Sequence, residues 1–592
     1  MNHHSLDVNS ESGIEKISEI TEFYDGCNVL LTGGSGFVGK LLIDKLLRSC
    51  TKIQKLYIIL RGKKGKSPEE RYRELFDDLV YDRLKREQPD FQSKVFMIEG
   101  ELDNNGLNLS VKDRELIKDS HIVFHGAATV RFDDKLRFAV NINVRGTKEI
   151  LLLCRQMPNL KAIVHIGTAF SQCISQFIDE VFYEPPIDCD KMLNLLDLLN
   201  DEQLETLTPT LVGKFPNTYA FTKSIAEDVV LKYHKELPIV IVRPSIMIPT
   251  EKEPVSGWIN NIYGPTGVLV GAAIGLLHSL HCNSNNVADI IPADYVINNI
   301  IAAAWDIGTT WQSKSLKALP APQKNDETKV EYKPPIYNTV TSVQNPVTWG
   351  DYMKYNEIYG LIVPSIQSVW YYFFTLNQYL WIHNIYVFAF DIIPAVIVDT
   401  LARLTGRKPM LLATYKKIHK FSGVISYFCT QQWKFRNDNV LKLWGKMSPI
   451  DRKIFYFHVG EFKWSEYFYH HVRGLRVYLV HDSMSTLEKA LKKHYKLKIL
   501  HYTVVTLLSL FLLRLIYALL SSLFSFEYIA LEEMYYFNIG HLNSDEYFSY
   551  HVCGVLIKSS HREKLQARCQ PIGPVFMPVC QPYASSSQYN TI

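Results

Sequence analysis

The sequence predicts an α/β protein: a doubly wound parallel sheet, then a helical carboxy-terminal domain, then an apolar carboxy-terminal segment. Three observations carry this. Between about residues 26 and 310, six short runs rich in β-branched residues alternate with helix-length segments, the pattern of βαβ units whose strands are buried on both faces. From about residue 311 the pattern changes to long, aromatic-rich helical stretches. Leu500 to Phe526 carries one charge, Arg514, and is long enough to span about 30 Å of hydrocarbon.

The elements follow in order. Residues 1–25 read as a polar tail with no apolar core of a secretory signal, so the front of the chain is expected to fold in the cytosol. The strands are NVLLT, LYIIL, KVFMIEG, HIVFHGA, AIVHIGT and IVIVRP. A loop with Pro320, Pro322, Pro334 and Pro335 opens the second region, 311–499, and marks the expected boundary. Within that region Trp381 to Leu401 is apolar but interrupted by Asp391, Pro394 and Asp399. It reads as a membrane-dipping or substrate-facing helical pair rather than a span, and as a wall of an acyl tunnel.

Segment 500–526 reads as membrane-anchoring, with a buried helix as the alternative. Arg514 costs about 2.5–3.5 kcal/mol at a bilayer centre, which the apolar residues on either side offset. Lys489, Lys492, Lys493, Lys496 and Lys498 precede it, and Glu527, Glu532 and Glu533 follow it. The positive-inside rule then puts the large amino-terminal part on the cytosolic side. The tail, 527–592, repeats part of an earlier block: Lys453–Leu475 aligns with Glu533–Val555 through Gly460/Gly540, two Glu-Tyr-Phe triplets and Gly474/Gly554.

Composition excludes several classes. The 592 residues are 47% hydrophobic and 21% charged, which is neither disordered nor collagen-like. A formal charge of +4 is too slight for a nucleic-acid partner. Ten Cys occur without a C-x-x-C, so no metal site or disulfide scaffold is expected.

After the first strand comes Thr32-Gly33-Gly34-Ser35-Gly36-Phe37-Val38-Gly39-Lys40, then a helical run. Glycines let the backbone turn tightly and approach a pyrophosphate, and the helix that follows aims free N–H groups at it. The second strand ends in Arg61-Gly62-Lys63-Lys64. A cation there, where NAD-specific sites place a carboxylate for the ribose, suits the 2′-phosphate of NADPH. Glu99 to Leu102, with Glu101 and Leu102, and the small residues Ala127 and Ala128 end the third and fourth strands, where adenine and the cofactor body would lie.

Tyr219 and Lys223 stand one helical turn apart, after the fifth strand and its terminal Gly167-Thr168. An ammonium beside a phenol is expected to lower its pKa, so that Tyr219 exchanges a proton with a carbonyl oxygen. Thr168 points into the same crevice as a hydrogen-bond donor. Tyr81 and Lys85 share the spacing but lie in a charged helix away from it.

The glycine turn, Thr168 and the Tyr219/Lys223 pair resemble an extended short-chain dehydrogenase/reductase with a Rossmann sheet. More narrowly, RGKKG, HGAATVRFDDKL, NVRGTKEIL, VRPSIMIPTEKEPVSGWINNIYGPTG and YNTVTSVQNPVTWGDY resemble the fatty acyl-CoA reductase family (male-sterility type), from about residue 25 to 500. The resemblance implies NADPH held by Gly33–Gly39, Arg61, Lys64, Glu101, Leu102, Ala127, Ala128, Lys223 and Pro244. It also implies Thr168, Tyr219 and Lys223 as the catalytic set, and a long-chain acyl-CoA reduced through a bound aldehyde to a primary alcohol. An apolar anchor at the endoplasmic reticulum or peroxisome is implied as well, and homo-oligomerisation stays open. Gly167 stands where the family more often has Ser, and Asn260 where it more often has Asp. The alternatives are an extended reductase acting on a sugar nucleotide or sterol, and a non-catalytic NADPH-binding scaffold.

Overall fold

The computed structural model of the chain describes residues 17–317 and 332–539. The six expected strands are β1 (Asn28–Thr32), β2 (Lys55–Leu60), β3 (Val95–Glu99), β4 (Ile122–His125), β5 (Ala162–Ile166) and β6 (Ile239–Pro244). A seventh, β7 (Ile336–Thr339), adds to the edge. All pair in parallel, in the order β7-β6-β5-β4-β1-β2-β3. Successive residues of one strand feed opposite cores: Val29 and Leu31 enter one, Leu30 the other, and Phe124 and Val123 divide likewise. Each such Val or Leu contributes roughly 1.5–3 kcal/mol on leaving water.

Three helices matter for the site: α1 (Phe37–Ser49), α2 (Thr218–Tyr233) and α3 (Ala293–Lys317). Strand order reverses between β1 and β4, so the crevice for a ligand lies beyond their carboxyl ends. Register puts Thr32 beside His125 and His125 beside His165, and the loops after these strands leave the sheet along one edge.

Two parts of the expected layout differ. The segment 336–339, read as part of a helical domain, is a sheet strand, because Ile336–Thr339 has β6 to pair with. Part of the expected tail is also built in. Ile20 and Tyr24, one turn apart, are fully buried, and the Tyr24 hydroxyl donates to Ile301 O at 3.0 Å. Among the described residues, those up to Leu507 form one compact unit and those from Leu508 a second. Within the first, the aromatic helices Trp349–Gly360 and Trp464–Gly474 bury Tyr352, Tyr467 and Phe468 in the same core as the β1 residues.

Among the described residues, two helices are long and apolar enough to cross a membrane. One is α4 (Leu380–Leu404), which includes a π-helical stretch, Val387–Ile392, just before Pro394. The wider turn accommodates a residue that has no N–H to donate. It is followed by α5 (Leu411–Thr430). The other lies within α6 (Leu487–Ile539), where residues such as Leu508, Phe511, Leu515 and Leu519 are exposed. The second copy of the repeated block runs past Ile539 and lies outside the described residues.

Candidate active site

The glycine turn begins at the end of β1. Gly33 adopts φ +79°, and a Cβ there would come within 2.8 Å of Ala127 N. A Cβ on Gly39 would meet Gly33 O at 2.2 Å and Gly34 Cα at 2.6 Å. Gly36 N closes the turn on Gly33 O at 2.9 Å. Gly36 caps α1 without a side-chain hydrogen bond, which leaves the N–H groups of the first turn, Phe37 to Gly39, directed out of the helix. Thr32 Oγ1 accepts from Ala127 N at 3.1 Å and ties the β4 loop, with Ala128, to this turn. Strand ends, turn and helix N-terminus thus fit a dinucleotide pyrophosphate.

Beyond β2 the chain gathers cations. Burial, then the nearby charges of Arg71, Arg61, Lys64 and Arg131, hold Lys63 below the ordinary lysine value. Arg71 donates to Ser35 Oγ at 2.7 Å and also to Arg61 O. Arg61 has a carboxylate partner, Asp103, at 3.8 Å. Arg131 has two, Asp133 at 3.5 Å and Asp134 at 3.6 Å, and the five positive side chains together could hold a phosphate. Arg71 and Arg131 escaped the sequence reading: Arg71 lies in the helix after the RGKKG turn, and no spacing rule points at it. On the other flank, Leu102 packs against Gly146, and Glu101 turns back on Leu107 O through its backbone N–H.

The structure brings Thr168, Tyr219 and Lys223 together. Thr168 caps the turn after β5, accepting from Phe170 N at 3.3 Å, and reaches Pro244 O at the end of β6 at 3.5 Å. Its side chain also lies close enough to act on the Tyr219 phenol. Asn217 caps α2 by accepting from Ala220 N, which sets Tyr219 in the first turn. The Tyr219 side chain is half-buried.

Electrostatics corrects one expectation. Burial pushes Tyr219 up to about 12, Thr168 pulling only partly back, and Lys223 is not among the causes. The ammonium is occupied elsewhere: Lys223 Nζ donates to Ile166 O at 2.7 Å. Burial brings Lys223 down to about 8, against the pull of Glu227. The phenol is therefore a neutral acid at neutral pH, and Lys223 is cationic there. Beneath them His125 is held down to about 3 by burial and then by Lys223, and His165 is lowered for the same reasons. Neither adds charge.

Residues the sequence reading left without a role hold this set. Glu227, one turn after Lys223, forms a two-pronged buried pair with Arg243, both contacts at 2.7 Å, and accepts from Ser171 and Gln172. Asn143 accepts from Thr129 N at 3.0 Å and donates to Thr222 Oγ1 at 2.9 Å, joining the β4 loop to α2. Tyr81 belongs to the core, packed on Phe76, while Lys85 pairs with Asp82. An aromatic wall covers Tyr219: its ring lies 5.7 Å from that of Phe132, which is 5.9 Å from Phe428, which meets Phe170.

The Trp381–Leu401 stretch does not form an internal tunnel, since Trp381, Phe388, Ile397 and Leu401 are exposed. A small apolar cavity of about 60 Å³ lies instead among Leu269, Ala273, Val363, Tyr372, Leu475 and Val480.

The pH dependence follows from Lys223. It carries its charge below about 8 and loses it above. The kcat/KM, which reports the free enzyme, should be flat from about pH 6 to 8 and then fall about tenfold per unit. Lys223→Met should be slow with that limb gone. A limb that survives in Lys223→Met would assign it to another group.

Sheet order, glycine turn and the Thr/Tyr/Lys set define a nicotinamide-dinucleotide oxidoreductase of the short-chain dehydrogenase/reductase class. Two family profiles described as Male sterility protein match the chain, one an NAD-binding domain over 31–300 and one over 390–482. Fatty acyl-CoA reductase wat of Drosophila melanogaster is 39% identical over 510 residues, covering 86% of this chain and 95% of that one. Fatty acyl-CoA reductase 1 of Rattus norvegicus is 36% identical, covering 84% and 93%, and fatty acyl-CoA reductase 2 of Bos taurus is 34% identical, covering 85% and 94%. The chain belongs to the fatty acyl-CoA reductase family.

Proposed function

We propose that this protein reduces long-chain fatty acyl-CoA to primary alcohol with NADPH, at a membrane, through a bound aldehyde. The observation that carries the reading is the convergence of Thr168, Tyr219 and Lys223 at the carboxyl edge of the sheet, beneath an aromatic wall. The Gly33–Gly39 turn would hold NADPH, whose chemistry would be hydride donation to the thioester carbonyl carbon and, from a second NADPH, to the aldehyde. Thr168 and Tyr219 donate to the carbonyl oxygen as negative charge grows on it. Collapse of the tetrahedral species restores the carbonyl and releases CoA as thiolate. In the second reduction Tyr219 gives its proton to the alkoxide. Lys223 would hold the nicotinamide ribose and supply positive charge, and Glu227 with Arg243 fixes the helix that carries both residues. Phe132, Phe170 and Phe428 keep water from the carbonyl and favour an acyl chain over a sugar nucleotide.

The cation cluster supports NADPH over NADH. The apolar part of α6, preceded by five lysines, supports anchoring with the catalytic unit on the cytosolic side, at the endoplasmic reticulum or peroxisome as in the family. The test is turnover of palmitoyl-CoA by the membrane fraction, with product analysis by mass spectrometry. The expected result is hexadecanol and two NADPH consumed per alcohol. Arg71→Ala should raise the KM for NADPH about tenfold or more, as for a lost charged hydrogen bond, and leave that for NADH unchanged. Equal use of both cofactors by the unaltered enzyme would refute the NADPH reading, and absence of alcohol and aldehyde would refute the reaction.

A further inference from the structure

Helix α4 is built inside out for a helix on a water-soluble surface. Trp381, Phe388, Ile397, Leu401 and Leu404, with Met410 in the turn after it, are each more than half exposed. Its two carboxylates face the protein. Asp391 is fully buried, 2.5 Å from His278 Nδ1 and 3.2 Å from Nε2 of His419 on α5. Asp399 is 7% exposed and accepts the backbone N–H groups of Met410, Leu411 and Leu412 at 2.9–3.0 Å, capping the start of α5. The polar side of α4 is thereby fastened to the body of the unit, and the apolar side is turned out. Scattered exposed apolar residues are ordinary, but a contiguous face of this kind marks a binding surface.

Charge identifies what binds there. From Tyr379 to Lys420 the only carboxylates are Asp391 and Asp399, both turned inward, while Arg403, Arg407, Lys408, Lys416 and Lys417 are exposed. An apolar face with cations beside it and no exposed carboxylate complements a bilayer containing anionic headgroups. The following helix ties this face to the site. α5 starts at the α4 turn, passes Phe421 against Gly267, and ends with Phe428 in the wall beside Phe132 and Tyr219. From Leu411 to Phe428 the rise is about 25 Å.

We infer that the α4–α5 hairpin docks into the headgroup and outer acyl region of a bilayer, separately from α6, and that an acyl chain passes from lipid along α5 to Tyr219. The docking stands on the hairpin alone, and the passage rests on the acyl-CoA reading above.

The test uses the full-length protein in vesicles of phosphatidylcholine with a minor share of phosphatidylserine and a trace of phospholipid bearing a diazirine in its acyl chain. After irradiation, adducts are mapped by mass spectrometry. Adducts between Phe388 and Leu404, as well as in α6, are the expected result. Adducts confined to α6 would overturn docking. The passage is tested with Ile397→Asp/Leu401→Asp, both residues far from the catalytic groups in the chain and exposed. Turnover of palmitoyl-CoA presented in vesicles should fall about tenfold, as expected when two apolar side chains can no longer enter the interface, with octanoyl-CoA in solution affected less than about twofold. Equal losses for both substrates would overturn the passage. If the unaltered enzyme turned over neither, the reaction would fail while the adduct map still decided docking.

Discussion

Tyr219→Phe is expected to lower kcat for palmitoyl-CoA by about 10²- to 10⁴-fold with little change in KM, the cost of removing a positioned general acid. In free energy this is about 3–5 kcal/mol of transition-state stabilisation. The phenol is well suited to the part because burial keeps it protonated: at about 12 its pKa lies far above neutrality. Phenylalanine preserves the packing on Phe132 and deletes only the phenol oxygen. Folding should therefore survive, which a thermal melt with and without NADPH would verify. Steady-state rates on membrane fractions give the measurement, and a variant within threefold of the unaltered rate would remove Tyr219 from the chemistry.

Gly39→Ala is the second large effect. The added methyl would sit 2.2 Å from Gly33 O and 2.6 Å from Gly34 Cα, and all the nearest atoms are backbone, so no rotamer relieves the clash. Overpacking usually costs about 1–3 kcal/mol when side chains can yield; here the phosphate-binding turn itself must open. NADPH binding, read by isothermal titration or fluorescence transfer from protein to dinucleotide, should weaken by about a hundredfold or more, with turnover lost in proportion. Unchanged NADPH affinity in Gly39→Ala would mean that the dinucleotide lies elsewhere.

Much of this was legible along the chain because it is written in local patterns. Strands β1 to β6 announce themselves as short β-branched runs, and the glycine turn lies between a strand and a helix. Tyr219 and Lys223 share one helical face. Sequence order then places Thr168 after a strand and before that helix, which is enough to send all three to one edge of the sheet. Other features depend on partners far away. β7 is a short run, IYNT, whose identity comes from pairing with β6. Arg243 reads as a strand residue until Glu227 stands opposite it.

By itself, then, the sequence determined a parallel doubly wound sheet, a dinucleotide turn, a hydroxyl–phenol–ammonium set and two apolar helices, since each follows from spacing and side-chain type over a few residues. Tertiary structure decided the rest. It made Tyr219 a weak acid through burial when sequence proximity to Lys223 argued the reverse, because Lys223 spends its proton on Ile166 O. It brought Arg71 to Ser35 and Phe428 to the catalytic edge. It also turned Asp391 and Asp399 inward, leaving the apolar side of α4 outside. Desolvation and long-range contact depend on what surrounds a group in space, and neighbours in space are not neighbours in the chain.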